Sequence, residues 1–148
     1  GLRIGEALSL NFRDRPVSDT MTLIGKGNKE RMVPVLPAVR DAINLYMKEC
    51  PFSLGDNDPL FVGIRGKRLT ARAIQLKMQT LRRNLGLPET ATPHALRHSF
   101  ASHLLAGGSD LRSIQELLGH ASLSSTQRYT DLDTEKLLAM YDQTHPKS

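Results

Sequence analysis

His94 and Arg97, in the stretch Thr92-Pro93-His94-Ala95-Leu96-Arg97-His98, stand three residues apart at the expected start of a helix and so share a face. Free backbone N–H groups at such an end attract phosphate. An imidazole and a guanidinium beside them can hold two phosphate oxygens while the imidazole still moves a proton. The plainer alternative is a capping turn with a solvated arginine. His94 and His98 are also four apart, a spacing at which two imidazoles can share a metal. A zinc-hydrolase helix of this type carries a glutamate beside the first histidine, however, and Ala95 stands there with no third ligand in view, so no metal and no cofactor is assigned. His103 reads as a packed or half-exposed histidine, and Leu96 and Phe100 as core candidates.

A second cluster is Leu118-Gly119-His120, where a glycine ends a helix and a histidine follows at once. Tyr129 comes nine residues after that histidine. Tyrosine serves as a nucleophile as well as a core residue. Here Ser124, Ser125, Thr126, Gln127, Arg128 and Thr130 give it almost no apolar company, which argues against a buried aromatic.

The elements that must position these groups can be read from periodicity. Residues 1–10 read as a helix already under way, since Leu2, Ile4, Ala7, Leu8 and Leu10 are apolar and no capping residue precedes them. The chain is therefore expected to be a fragment of something longer. Residues 20–24 and 31–35 are β-like runs separated by Gly25-Lys26-Gly27-Asn28-Lys29-Glu30, a hairpin signal that projects Lys26 from the turn. Residues 38–48 carry Val39, Ala42, Ile43, Tyr46 and Met47 at helical spacing, which predicts a packing helix. A loop over 51–59 leads to a short apolar run, 60–64, expected as a third strand. Thr70 is an N-cap candidate for a basic helix over 70–85, stopped by Gly86 and Pro88. Thr92-Pro93 opens a helix over 94–106 that Gly107-Gly108 closes. Further helices are expected up to Leu118, over 123–130 and over 134–143.

Charge adds direction. The 148 residues are 39% hydrophobic and 24% charged, a mix suited to one domain of ordinary size, with Lys and Arg exceeding Asp and Glu by 20 to 15. The excess is local: residues 64–84 contain no acid, whereas Arg65, Lys67, Arg68, Arg72, Lys77, Arg82 and Arg83 supply seven positive charges. Such a segment suits a polyanion, and Gln75, Gln79 and Asn84 could read base edges. Lys29, Arg31 and Arg128 are further candidates for the DNA backbone. No apolar run approaches the roughly 18 residues of a membrane span, and the start lacks a leader pattern. One cysteine, Cys50, excludes an internal disulfide and fits a reducing cytosol, so a cytoplasmic location without membrane contact is expected.

The four motifs, in order, are Gly1-Leu2-Arg3-Ile4-Gly5-Glu6-Ala7-Leu8, Gly25 to Arg31, Pro93 to His98, and Leu117-Leu118-Gly119-His120 followed by Thr126-Gln127-Arg128-Tyr129. Together they resemble the catalytic domain of tyrosine recombinases, the phage-integrase family, and within it the Xer-type recombinases that resolve chromosome dimers. The likeness covers essentially the whole chain. It implies a mixed α+β fold, mostly helical with a small antiparallel three-stranded sheet, as the catalytic domain without its first helices and without the N-terminal core-binding domain. It also implies that Arg3 and Arg97 are the two catalytic arginines, Lys26 the hairpin lysine, His94 and His120 the active-site histidines, and Tyr129 the nucleophile. The expected partners are double-stranded DNA, a partner recombinase in a tetramer with cyclic exchange of the C-terminal helix, and a septal DNA translocase.

The side chains suit that chemistry in their own right. A phosphodiester repels anionic attackers, so a catalyst must neutralise the charge that grows during transfer, and two forked guanidiniums do this better than lysines. Two rivals differ in class. A helix-turn-helix module over 99–129 would bind DNA without chemistry and leave Arg3 and Lys26 idle; a type IB topoisomerase would share the chemistry without exchanging strands.

Overall fold

The computed structural model describes residues 1–24, 30–106, 108, 114–115 and 118–119. Among them are α1 (Ile4–Ser9), a 3-10 turn (Phe12–Asp14), β1 (Thr20–Ile24), β2 (Glu30–Pro34), α2 (Pro37–Glu49), α3 (Ala71–Asn84) and α4 (Pro93–Ala106). The chain forms two compact units, each built from two separated stretches: Gly1–Arg15 with Pro51–Phe100, and Pro16–Cys50 with Ala101–Ser148.

In the first unit, α1 starts at Ile4 rather than running from residue 1. Arg3 is extended (φ −66°, ψ 145°), and its backbone N–H donates to the Glu6 carboxylate at 2.8 Å, half of a capping box. Beyond α1, residues 10–13 run beside 56–60: Leu60 N–H donates to the Leu10 carbonyl at 2.9 Å and Phe12 N–H to that of Asp58 at 2.8 Å. Leu10 and Leu60 are buried there.

The run over 60–64 is not a third strand. Its first residue pairs back to Leu10, while Phe61 and Gly63 pair forward across a tight turn, with Leu69 N–H to the Phe61 carbonyl at 2.9 Å and Gly63 N–H to that of Lys67 at 2.8 Å. Only isolated bridges result, Asn11 to Pro59 and Val62 to Arg68. Gly66 makes the turn at φ +71°, where the Phe52 ring lies 3.0 Å from the place a Cβ would take. The sheet among the described residues thus has two strands.

Two helix starts in this unit, those of α3 and α4, are capped as their sequences predict. At α3, Thr70 Oγ1 accepts from the Ala73 N–H at 3.2 Å. Its far end closes with Leu87 N–H on the Arg82 carbonyl (2.8 Å) and Gly86 N–H on that of Arg83 (3.3 Å), Gly86 standing at φ +64° in a Schellman arrangement. At α4, Thr92 Oγ1 accepts from the Ala95 N–H at 3.2 Å, and Pro93 occupies the position whose missing N–H is harmless. Arg97 and Leu104, two turns apart on one face of α4, are its buried residues among those described, at 7% and 2% exposure. Leu96 lies about 100° round from Arg97, which is why this expected core residue is exposed at 60%.

In the second unit, β1 and β2 pair antiparallel with Leu23 opposite Arg31 and Met21 opposite Val33. Paired residues face the same side, so Leu23, Val33 and, two residues on, Val35 form one buried face, while Thr22 and Ile24 are exposed on the other. The strand exit is fixed by the Val35 N–H on the Asp19 carbonyl at 2.7 Å. An ion pair between Arg40 and Asp19 anchors α2 to the same point. Leu104, Ile114 and Leu118 are the unit's other buried apolar residues among those described.

Candidate active site

The first unit brings Arg3 and Arg97 onto one carboxylate. Arg3 Nη1 donates to Glu6 Oε1 at 3.0 Å, and Arg97 Nη1 lies 3.9 Å from Glu6 Oε2. Local sequence explains the first contact, since Arg3 and Glu6 are three apart at the start of α1. The second comes from α4, whose inward face carries Arg97. Its guanidinium also donates to the Gly1 carbonyl at 2.8 Å. A buried guanidinium needs such partners, because an unpaired charge at 7% exposure would be strongly disfavoured. Two positive groups that would repel each other are thereby held around one negative group. Three charges leave a net +1, an arrangement suited to a phosphodiester anion.

Sequence reasoning did not single out Glu6. The signal was present, because an acid three residues beyond an extended residue is the capping-box spacing. It was hidden by reading the helix as already begun before residue 3.

His94 occupies the first turn of α4 and is exposed. Its Nε2 lies 2.7 Å from Nε2 of His98, with the rings edge to face at 86°. At that distance one nitrogen carries a proton and the other accepts it, so the two imidazoles engage each other directly. His94 also lines a cleft of about 290 Å³ with Ile4, Gln75, Gln79, Arg82 and Thr92. The polar face of α3 thus opens onto the same hollow as the candidate proton acceptor, which unites two features that sequence alone left separate.

The basic residues divide by placement. Arg72, Lys77 and Arg83 are exposed along α3, and Arg65 and Lys67 flank the Gly66 turn. Arg82 is half-buried and donates to the Glu89 carbonyl at 2.9 Å. Arg68 reaches back to the end of α1, where Nη1 donates to the carbonyls of Leu8 (2.7 Å) and Leu10 (3.0 Å) and Nη2 to the Asn11 side chain. Arg31 is half-buried on β2 against Gly119, which stands at φ +68°. Lys26, Lys29, His120, Arg128 and Tyr129 lie outside the described residues, as does the expected helix over 134–143.

Comparison with known proteins gives this arrangement a context. The chain is 57% identical to the tyrosine recombinase XerC of Agrobacterium fabrum strain C58 over 149 residues, covering all of this chain and 47% of that protein. The crystal structure of XerA recombinase superposes with a TM-score of 0.72 at 34% identity, over 100% of this chain and 55% of that one. A pre-cleavage complex of XerH site-specific recombinase bound to difH substrate gives a TM-score of 0.70 at 28% identity, over 99% of this chain and 42% of that one. The fold, helices with a small antiparallel sheet, is that of the tyrosine recombinase catalytic domain. The chain spans about half the length of the curated relatives it matches. With residues 1–136 matching the phage integrase family, the chain belongs to that family.

Proposed function

We propose that this chain is the catalytic part of a site-specific DNA recombinase that cuts and rejoins duplex DNA through a 3′-phosphotyrosine intermediate. The observation that carries the reading is the pair of guanidiniums, Arg3 and Arg97, gathered around Glu6 beside the helix start that presents His94. The XerC and XerH relatives support it, one named a tyrosine recombinase and the other bound to its DNA substrate.

The reaction follows from charge and proton accounting. Arg3 and Arg97 hold the non-bridging oxygens of the scissile phosphate and offset the charge that develops there. Tyr129 attacks phosphorus, its phenolic proton passing to His94, while the bond to the 5′-oxygen breaks and Lys26 protonates that oxygen. His120 hydrogen-bonds a phosphate oxygen. The phosphotyrosyl ester keeps the bond energy, so a 5′-hydroxyl of the partner strand reverses the step without ATP. The exposed basic side chains of α3 and its flanking turn hold the DNA backbone.

The biological setting we assign is Xer-type resolution of chromosome dimers in the cytoplasm, within a recombinase tetramer that exchanges C-terminal helices and is served by a septal DNA translocase. Among the described residues no helix is long and apolar enough to cross a membrane.

Covalent trapping tests the chemistry. A nicked duplex carrying a candidate core site should give a protein–DNA adduct on a denaturing gel with the native chain and none with Tyr129→Phe. Adduct formation that persists in Tyr129→Phe would remove the nucleophile assignment, and tight DNA binding without any adduct would favour the helix-turn-helix rival. Replacing the bridging 5′-oxygen by sulfur tests the acid: Lys26→Ala should regain cleavage, because a thiolate leaves without a proton.

A further inference from the structure

The flat side of the Arg31 guanidinium lies over Gly119. A Cβ at Gly119 would fall 2.9 Å from Nη1, 3.0 Å from Cζ and 3.2 Å from Nε of Arg31, too close unless the guanidinium shifts. The φ of +68° at Gly119 lies in the left-handed region that side chains disfavour, and a side chain there would also have to displace the Arg31 guanidinium. The register of the hairpin agrees. Arg31 pairs with Leu23, and so sits on the side of the hairpin where Leu23 and Val33 are buried at 4% and 8% exposure. An arginine meant to grip a phosphate would be expected on the opposite side, where Thr22 and Ile24 are exposed. Arg31 instead carries its guanidinium to the turn at Gly119. That turn leads directly into His120, and the strand bearing Arg31 follows directly on the loop that carries Lys26.

We infer that Arg31 is a positioning residue: its guanidinium braces the turn at Gly119, the residue immediately before His120 in sequence, and ties that turn to β2, which follows Lys26 in sequence. The inference rests on the roles proposed for Lys26 and His120. In this role Arg31 acts through the two segments it joins.

The test uses the whole chain with Arg31→Ala, Arg31→Lys, Gly119→Ala and the double variant Arg31→Ala/Gly119→Ala. Gly119→Ala suffers from its φ and from the contact, and only the contact is relieved when Arg31 is shortened. The φ effect is common to both backgrounds and cancels in the cycle. Gly119→Ala should therefore lower the urea midpoint less in the Arg31→Ala background than in the native one. Proton NMR of the five histidine rings, with His120 assigned by its loss in His120→Gln, supplies a readout that general loosening would not give. Both Arg31 variants should move the His120 resonances and leave those of His94 and His98 in place. On the nicked duplex, adduct formation should slow about ten- to a hundredfold, with DNA affinity and its salt dependence unchanged, and lysine should not restore it because it lacks the flat guanidinium. Additive midpoints, an unmoved His120 signal, or a salt slope lowered by about one and restored by lysine would each overturn the inference. A native chain that binds the nicked duplex tightly and still forms no adduct counts against the catalytic reading, while the mutant cycle and the His120 resonances still decide the brace.

Discussion

Glu6 governs the charge that Arg3 and Arg97 present, and its removal should separate two effects. Glu6→Gln keeps an acceptor for the Arg3 N–H but loses the negative charge; Glu6→Ala loses both. We expect Glu6→Ala to destabilise the fold by about 1 kcal/mol through the lost cap, measured by urea unfolding, with Glu6→Gln less affected. Both should slow adduct formation in single-turnover assays, because the guanidiniums are no longer drawn to a shared oxygen pair. The residues that sequence placed well, His94 and Arg97, sit in a helix start whose cap and proline are local signals. Those it misjudged depend on distant partners: Leu96 looked like core, yet α4 turns Arg97 inward because Glu6 and the Gly1 carbonyl wait there to satisfy it, which leaves Leu96 outside.

The elements were legible wherever their punctuation is local. Thr70, Gly86, Thr92 and Pro93 delimit α3 and α4 to within a residue or so of expectation, and the glycine-rich stretch before Glu30 announced the hairpin. The apolar run over 60–64 misled because apolar character says that a segment is buried without saying what pairs with it. Leu60 found Leu10, fifty positions earlier, while Phe61 and Gly63 found their own downstream neighbours. Arg68 carries the matching lesson for charge. It stands in the most basic segment of the chain, yet its donors close the carbonyl end of α1. Arg68→Ala should therefore destabilise the fold by about 1 kcal/mol, the net worth of a lost hydrogen bond, since the Leu10 carbonyl keeps the Leu60 N–H, with no change in the salt slope of DNA binding. A fall in that slope at unchanged stability would return Arg68 to the DNA-contacting set.

Across the whole molecule the positive excess of five charges is a poor guide, since what matters is which cations are exposed together. Arg72, Lys77 and Arg83 remain exposed on α3. Replacing all three by alanine should lower the slope of log affinity against log salt by about 2–3, each phosphate contact contributing roughly 0.9. Stability should shift by less than about 0.5 kcal/mol per site. Fluorescence anisotropy over a salt series checks this; an unchanged slope would mean that the helix does not track the backbone. Composition points to a polyanion partner, and only the fold separates the exposed cations proposed to grip it from one such as Arg68, whose donors are spent on backbone carbonyls.

The hydrogen bond from Arg97 to the Gly1 carbonyl spans 96 positions of sequence. During synthesis at roughly 5–20 residues per second, the second guanidinium reaches the first only about 5–20 s after residue 1 is made. Until then Glu6 faces Arg3 without Arg97, and the growing chain holds one of the two guanidiniums that the proposed reaction uses. Under the proposed reaction, a nascent or prematurely released chain ending before Arg97 would lack the second of the two guanidiniums, so the pair is completed only late in the making of this chain.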